Sequence, residues 1–560
     1  MKRCPECRRD YHDDTLSFCL DDGVALLDGP AEPATAILTS ESPTKTFGPP
    51  CGESGGDETS SKLYNQASNR NSIIAGIAGI LIVTALAVGS YLYYGRTGTR
   101  QIESIAVMPF VNESGNADID YLSDGMTETL INSLTQIPNL KVKPRSSTFR
   151  YRGRESDAKA AGNELNVAAI LNGRLVQRGD EITLFLSLID TNTEDQLWGK
   201  QYTQSLANLL ALQTQVAGDV LESLRTKLSG FEAQKIAKTY TTDPEAYRLY
   251  LQGRFYWNKR TPKDTGRAIR YFEQAIAIDP NYALAYAGLA DSTAQPSDTV
   301  PFADREKRAK AAAYKSLQID DTLAEGHSAL GHLSTRFDLD FEKGEQELRR
   351  ALELNPKWVD TYQRYGELQT FLGRHDKALA TYKQGLEIEP YSLPLNATYG
   401  AGLTAARRYD EAIMQLKKTL EMDPAFRPAY NILSTAYRMK GMFAESVDAR
   451  AKFLELTGDG QHAESIRKSF AGGGWDEYLH AELLRYAATS ERSFDRTPYY
   501  GEATFLAAVG ERDRAFAALN KAVVNRENPL LVLLKVDSRL DPLRNDPRFQ
   551  ELLRKLGFPQ

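Results

Sequence analysis

Apolar and small residues run unbroken from Ile73 to Tyr94, as IIAGIAGILIVTALAVGSYLYY, with no charge between Arg70 and Arg96. A helix of this length rises roughly 33 Å at about 1.5 Å per residue, enough to cross a bilayer, so residues 71–95 are predicted to span a membrane. Tyr91, Tyr93 and Tyr94 would sit at the headgroup level. With seventy residues in front, the stretch does not read as a cleavable leader.

Beyond the span the patterning changes twice. Ile105 to Phe110 is a short apolar run suited to a buried strand, and Leu122, Met126, Leu130 and Leu134 recur every fourth residue, marking one helix face. Asp118 or Asp120 is placed to cap that helix and Pro138 to end it. Ile182, Leu184, Leu186 and Leu188 alternate with Thr183, Phe185 and Ser187, the signature of a half-buried strand. A turn around Gly179 joins it to a preceding strand at 168–176. Leu209, Leu212, Val216, Val220 and Leu224 form another helix face. From residue 243 the period becomes long: Pro356, Pro390 and Pro424 are 34 residues apart, with Pro280 two slightly expanded periods upstream. Between them recur Gly or Ala, which let two helices approach, and large apolar residues that fill the space beside them: Tyr362, Gly366, Ala378 and Tyr382, then Tyr399, Gly400, Ala412 and Leu416, with Ala268, Phe272 and Ala275 earlier.

A 34-residue period of this kind resembles the tetratricopeptide repeat, with about six repeats over 243–458. Residues 459–560 read as additional helical repeats and a C-terminal cap, with Ala515, Leu519 and Ala522 in one helix and Phe549, Leu552, Leu553 and Leu556 in the last. Residues 103–228 resemble the TolB amino-terminal-domain-like family through IAVMPFVNES at 105–114, YLSDGMTETLINSL at 121–134, SSTFRYRG at 146–153 and LNVAAILNGRLVQRGDEITLFLSLIDTNTEDQLWGKQY at 165–202. That resemblance implies a small α/β domain that binds without catalysing; Asn172 stands where the family has an acidic residue. The repeat resemblance implies a concave groove for peptides or partner helices, which repeat phase assigns to Arg254, Trp257, Gln363, Glu367, Asn431 and Arg438, with Thr370 and Thr435 beside them.

Composition then bears on the other end of the chain. All four cysteines, Cys4, Cys7, Cys19 and Cys51, precede the span, so no disulfide framework staples the remainder. CPECRRDYHDDTLSFCLDD at 4–22 resembles a zinc ribbon whose fourth thiolate is replaced. Segment 1–23 is too short to bury a core, and a metal would supply its folding energy. Cys4, Cys7 and Cys19 are the candidate zinc ligands, with Asp22 by spacing or His12 by chemistry as the fourth; a degenerate knuckle without metal is the alternative. Residues 24–70, rich in Gly, Pro, Ser and Thr, read as a flexible linker.

The whole chain has 68 basic and 74 acidic residues, a net charge of −6, and segment 1–23 is itself acidic, which argues against nucleic acid as a partner. Two basic residues flank the span on each side, so the positive-inside rule returns a tie. Thiolate ligands favour a reducing compartment and a thiol-free remainder an oxidising one. On that ground the N-terminus is expected in the cytoplasm and the C-terminal domains outside a cytoplasmic (inner) membrane, in a periplasm where there is one. Ala75 with Gly79 and Ala85 with Gly89 would allow a homodimer through the span. HExxH, GxSxG, P-loop and dinucleotide glycine motifs do not occur in the sequence.

The expected fold class is therefore multidomain: a zinc-ribbon-like knuckle, one transmembrane helix, an α/β domain and an all-α solenoid. The expected function is a non-enzymatic scaffold or sensor for protein or peptide partners. The layout also resembles bacterial membrane regulators that join a cytoplasmic effector through one span to the same pair of modules. The alternatives are a transcriptional or signalling regulator acting through the zinc-ribbon-like segment, and an enzyme.

Overall fold

The computed structural model describes residues 2–3, 10–11, 27–28, 102–137, 140–153, 157–224, 240–489, 498–525 and 527–559. The chain divides into two units, Met1–Gly98 and Thr99–Gln560. In the first, β1 (Lys2–Arg3) pairs antiparallel with both β2 (Asp10–Tyr11) and β3 (Leu27–Asp28). Cys4, Cys7, His12, Cys19, Asp22 and the predicted span at 71–95 all lie outside the described residues. Among the described residues no helix is long and apolar enough to cross a membrane.

The second unit opens with a mixed sheet in the order β6-β4-β7-β8-β9. Strand β4 (Ser104–Val107) runs parallel to β6 (Lys141–Val142) and to β7 (Ala169–Arg178), while the short β5 (Val111–Asn112) continues beside β7. Strands β7, β8 (Glu181–Asp190) and β9 (Gln196–Ser205) form an antiparallel meander. The alternation in β8 sends Ile182, Leu184, Leu186 and Leu188 into the core. Arg178 pairs with Glu181 across a two-residue turn in which Gly179 takes φ +61°, a value that suits glycine.

Helices α1 (Asp120–Thr135) and α3 (Leu209–Ser223) bury their apolar faces in the main core of this domain. A smaller core of Ala106, Met108 and Ile170 holds α2 (Ala158–Leu165). Neither predicted aspartate caps α1: a turn of 3-10 helix at Ala117–Ile119 precedes it, and the Asn116 side chain accepts from the Asp118 amide there. Capping one turn earlier lets the chain enter the helix without a break.

Twelve helices then stack as six antiparallel pairs. They are α4 (Pro244–Lys259) with α5 (Pro262–Ile278), α6 (Ala283–Ala294) with α7 (Phe302–Ile319), α8 (Ala324–Leu333) with α9 (Phe341–Leu354), α10 (Val359–Phe371) with α11 (His375–Ile388), α12 (Leu393–Ala405) with α13 (Tyr409–Met422), and α14 (Arg427–Met439) with α15 (Phe443–Leu456). Small residues set the crossings. A Cβ on Gly366 would lie 2.3 Å from the Tyr382 ring, one on Gly253 2.5 Å from Phe272, and one on Gly400 2.7 Å from Leu416. Each large side chain therefore packs directly on a partner backbone, which is why the period carries Gly or Ala there. Asp243 starts the array by accepting from the Glu245 and Ala246 amides ahead of Pro244.

The array is closed at both ends. At the front, Tyr247 and Leu251 of α4 belong to the same core as α1 and α3, so the sheet domain and the first repeat share their apolar interior. At the back, α16 (Gly460–Thr489) breaks at Gly473 and Gly474, and α17 (Pro498–Ala508), α18 (Arg512–Val524), a 3-10 turn (Ser538–Leu543) and α19 (Pro547–Lys555) complete the chain. Tyr500, Leu506, Phe516, Leu540 and Phe549 of this segment pack in one core with Phe341, Leu368 and Phe371 of the repeats.

Candidate functional site

Arg254, on α4, reaches across to Glu128 of α1. Its Nε and Nη2 donate to Glu128 Oε1 at 3.1 and 2.6 Å. Asn258 Nδ2 donates to the other oxygen at 2.8 Å, and Arg145 Nε stands 3.1 Å from it. The Glu128 and Arg254 side chains are only 11% and 16% exposed, so water screens the pair little. Burial alone would raise the Glu128 carboxyl; the two guanidinium charges and the donated hydrogen bonds outweigh it and hold the group below its ordinary value. Asp124 extends the cluster by pairing with Arg152.

A second latch lies nearby. Lys357 Nζ, in the turn before α10, donates to the Thr135 carbonyl at 2.6 Å and the Ile137 carbonyl at 3.2 Å. These oxygens sit at the C-terminal end of α1, where a cation complements the helix dipole. Arg150 places its guanidinium 4.3 Å from the Tyr391 ring in the next repeat turn.

These contacts enclose a cavity of about 1070 Å³ between the sheet domain and successive repeat turns. Nine basic and six acidic residues border it, a difference of three positive charges. Phe149, Trp257, Trp358, Tyr391 and Phe426 supply apolar wall. Glu389 is half-buried there, and burial together with Asp360 pushes its carboxyl up to about 7 against the opposing pull of Arg145.

The six groove residues chosen by repeat phase fall into different surroundings. Arg254 and Trp257 border this cavity, Trp257 only 3% exposed. Glu367 lies within 3.9 Å of His332 and 3.7 Å of Arg336. Arg438 donates to the Thr504 carbonyl of α17 at 2.9 Å and lies over the Trp475 and Phe505 rings; burial pushes it down to about 10. Gln363 is half-buried, and exposed Asn431 accepts from Arg450 at 3.1 Å. Thr370 is buried against Tyr382, and Thr435 is half-buried. Five of the six thus engage the chain's own side chains or backbone, Trp257 by packing in a core with Ala268 and Phe272. Glu128, Arg145, Lys357 and Glu389 were not singled out by sequence; the SSTFRYRG motif abutting Arg145 and the prolines beside Lys357 and Glu389 were the available signals.

Comparison with known proteins divides the second unit in the same way. Residues 246–282 and 359–392 match the tetratricopeptide repeat model, and the helical array is a tetratricopeptide solenoid. Residues 100–217 match a model described as the second domain of HilA/YgeH-like transcriptional regulators. A Rhizobium meliloti (strain 1021) protein named "Putative adenylate cyclase 3" is 31% identical over 232 residues. The match covers 40% of this chain and 39% of that relative, so the chain spans well under half the relative's length. Among solved structures, YrrB, titled a TPR protein with an unusual peptide-binding site, is 19% identical with a TM-score of 0.24, covering 35% of this chain and 97% of that one. TTC0263, a TPR protein of Thermus thermophilus, is 20% identical with a TM-score of 0.30, covering 34% and 99%.

Proposed function

We propose that this chain is a membrane-anchored, non-catalytic scaffold or sensor that binds a protein or peptide partner. The observation that carries the reading is the tetratricopeptide array joined through a shared core to an α/β domain, an arrangement that presents two recognition surfaces in fixed relation. The α/β domain is read as TolB-like on the motifs at 105–202. The apolar stretch 71–95 anchors it, with the N-terminus in the cytoplasm. Cys4, Cys7 and Cys19, with Asp22 or His12, are a donor set suited to tetrahedral zinc, whose binding would help fold the first unit. Exposed Asn431 and half-buried Gln363 are where a partner would meet the groove.

A photo-crosslinking residue at Asn431 tests the partner reading in cells. One discrete adduct, lost when the neighbouring Thr435→Arg blocks the groove, supports it; adducts indifferent to that change refute it. Protease access to a C-terminal tag in cells stripped of outer layers tests the topology, with protection overturning it. Nucleotide turnover by the purified chain would overturn the non-catalytic reading.

The second reading is a transcriptional or signalling regulator acting through the zinc-ribbon-like segment, favoured by the regulator-domain match over 100–217. Failure of the zinc-loaded chain to shift DNA at low salt would remove its DNA-binding form.

A further inference from the structure

The cations around the junction cavity are of two kinds. Arg145 and Arg254 share Glu128, Arg150 pairs with Glu164 at 2.9 Å, and Lys357 donates to carbonyls of the sheet domain. Lys143, Arg260 and Lys418 border the same space, and among the described residues none of them has a carboxylate partner. Arg260 lies with its guanidinium 4.0 Å from the Trp257 ring centroid, so an aromatic face supports it while its hydrogen-bond donors go unclaimed. Lys143 and Arg260 are both half-buried. Burial is the main influence on each and lowers it; the Lys141 charge lowers Lys143 further, and Arg254 lowers Arg260 against the pull of Asp360. A half-buried cation with no carboxylate in ion-pair contact is costly, and a bound anion would offset that cost more closely than Asp360 does at a distance.

The remaining wall has a different chemistry. Phe149, Trp358, Tyr391, Leu393 and Phe426 offer aromatic and aliphatic surface, in a cavity at the upper end of the size range of small-molecule sites. Inorganic anions alone would leave that surface without a partner. We propose that the junction cavity binds a small organic anion, an aromatic or apolar body carrying an acidic group, with Arg260 receiving the acidic group, Lys143 adding positive charge to the same wall, and Trp358, Tyr391 and Phe426 receiving the body.

Binding here would need no protein partner, although Arg254 and Trp257, two of the residues assigned to the groove by repeat phase, also border the cavity. Because the cavity wall comes from both the sheet domain and three repeat turns, its ligand would tie the two modules together. The probe is 2-naphthyl phosphate, titrated by equilibrium dialysis against the full-length detergent-solubilised chain, with a detergent blank for partitioning and inorganic phosphate as the anion without a body. Saturable binding is expected, weakened at least fivefold by Lys143→Gln and by Arg260→Gln, and at least tenfold weaker for inorganic phosphate. Ser392→Phe, which narrows the cavity beside Tyr391, should weaken binding while leaving the circular dichroism spectrum and melting temperature near wild type. The charge variants are held to the same folding check, and Lys143, at the cavity margin, keeps the test open should Arg260→Gln fail it. Unchanged affinity in Lys143→Gln or Ser392→Phe, equal binding of inorganic phosphate, or no saturable binding of the probe would overturn the proposal.

Discussion

Replacing Glu128 by Gln removes one negative charge from the joint and leaves two guanidinium groups facing a neutral amide. Arg254 is 16% exposed and among the described residues has no other carboxylate within ion-pair distance, so it bears most of the loss. Arg145 is 28% exposed and stands 3.8 Å from Asp124, which offsets part of its share. Breaking one side of a buried pair costs about 3–5 kcal/mol, and the partial exposure of Arg145 places this case near the lower end, about 3 kcal/mol. Arg254→Met should cost somewhat less, because Arg145 and Asn258 still hold the carboxylate. The double variant should recover roughly half of the summed loss, because a neutral Gln beside Met leaves only Arg145 to be compensated, which Asp124 partly does. The assay is urea unfolding at pH 7 followed by tryptophan fluorescence, since Trp257 and Trp358 flank the joint. The dependence on acid is a second signature. The folded carboxyl titrates below its ordinary value of 4.5, so its contribution is complete above pH 4.5 and fades as pH falls through the lower folded value. The difference between wild type and Glu128→Gln should therefore change through that window, over and above the acid dependence both share through other carboxylates such as Asp537. Single variants within about 0.5 kcal/mol of wild type, or strictly additive losses, would refute the idea that this cluster is a joint.

Other changes probe separate parts of the molecule. Gly366→Ala drives a methyl to 2.3 Å from the Tyr382 ring and should lower stability by about 1–3 kcal/mol, read from the melting curve. Arg407 holds φ +63° while its guanidinium pairs with Asp541 at 2.6 Å and donates to the Val536 carbonyl at 2.7 Å. Both Arg407→Gly and Arg407→Ala should loosen the C-terminal helices to hydrogen exchange, with the Ala variant less stable than Gly by about 1 kcal/mol, because only glycine takes that φ without penalty. Glu389, pushed up to about 7, contributes stability that is complete below pH 4.5 and is lost as pH rises through 7. Glu389→Gln should therefore melt higher than wild type at pH 8, with the difference shrinking toward pH 5; a constant difference would contradict the shift.

The repeats were readable because their physics is local and recurrent. A proline follows four of the six second helices, and a small residue permits the crossings, so Gly366 and Tyr382 declare their contact sixteen residues apart. Strand β8 was equally plain from its alternation. Strand β9 was not singled out: at the sheet's edge it needs few apolar residues, and its run QLWGKQYTQS buries chiefly Tyr202. The site was harder for another reason. Repeat phase assigned Arg254 to the groove, but its partner Glu128 is 126 residues away in a different module, and no periodicity links them. Arg438 has the same history, since the Thr504 carbonyl that claims it belongs to a helix outside the regular repeats. Position within a repeat indicates a face, whereas what covers that face depends on how the rest of the chain folds back.

The doubly closed array has a consequence for how this protein can change over generations. An open solenoid gains or loses units by duplication and deletion, because each unit recognises only its neighbours. Here the front repeat shares the interior of the sheet domain, while Arg407 meets Asp541 and Arg438 meets Thr504 at the far end. A unit inserted before Lys357 would carry the turns at Lys357 and Tyr391 away from Thr135 and Arg150, and one inserted after Arg407 would separate it from Asp541. The number of repeats is thus held as firmly as the length of a strand in a barrel, and variation should accumulate by substitution on exposed helix faces instead of by copy number.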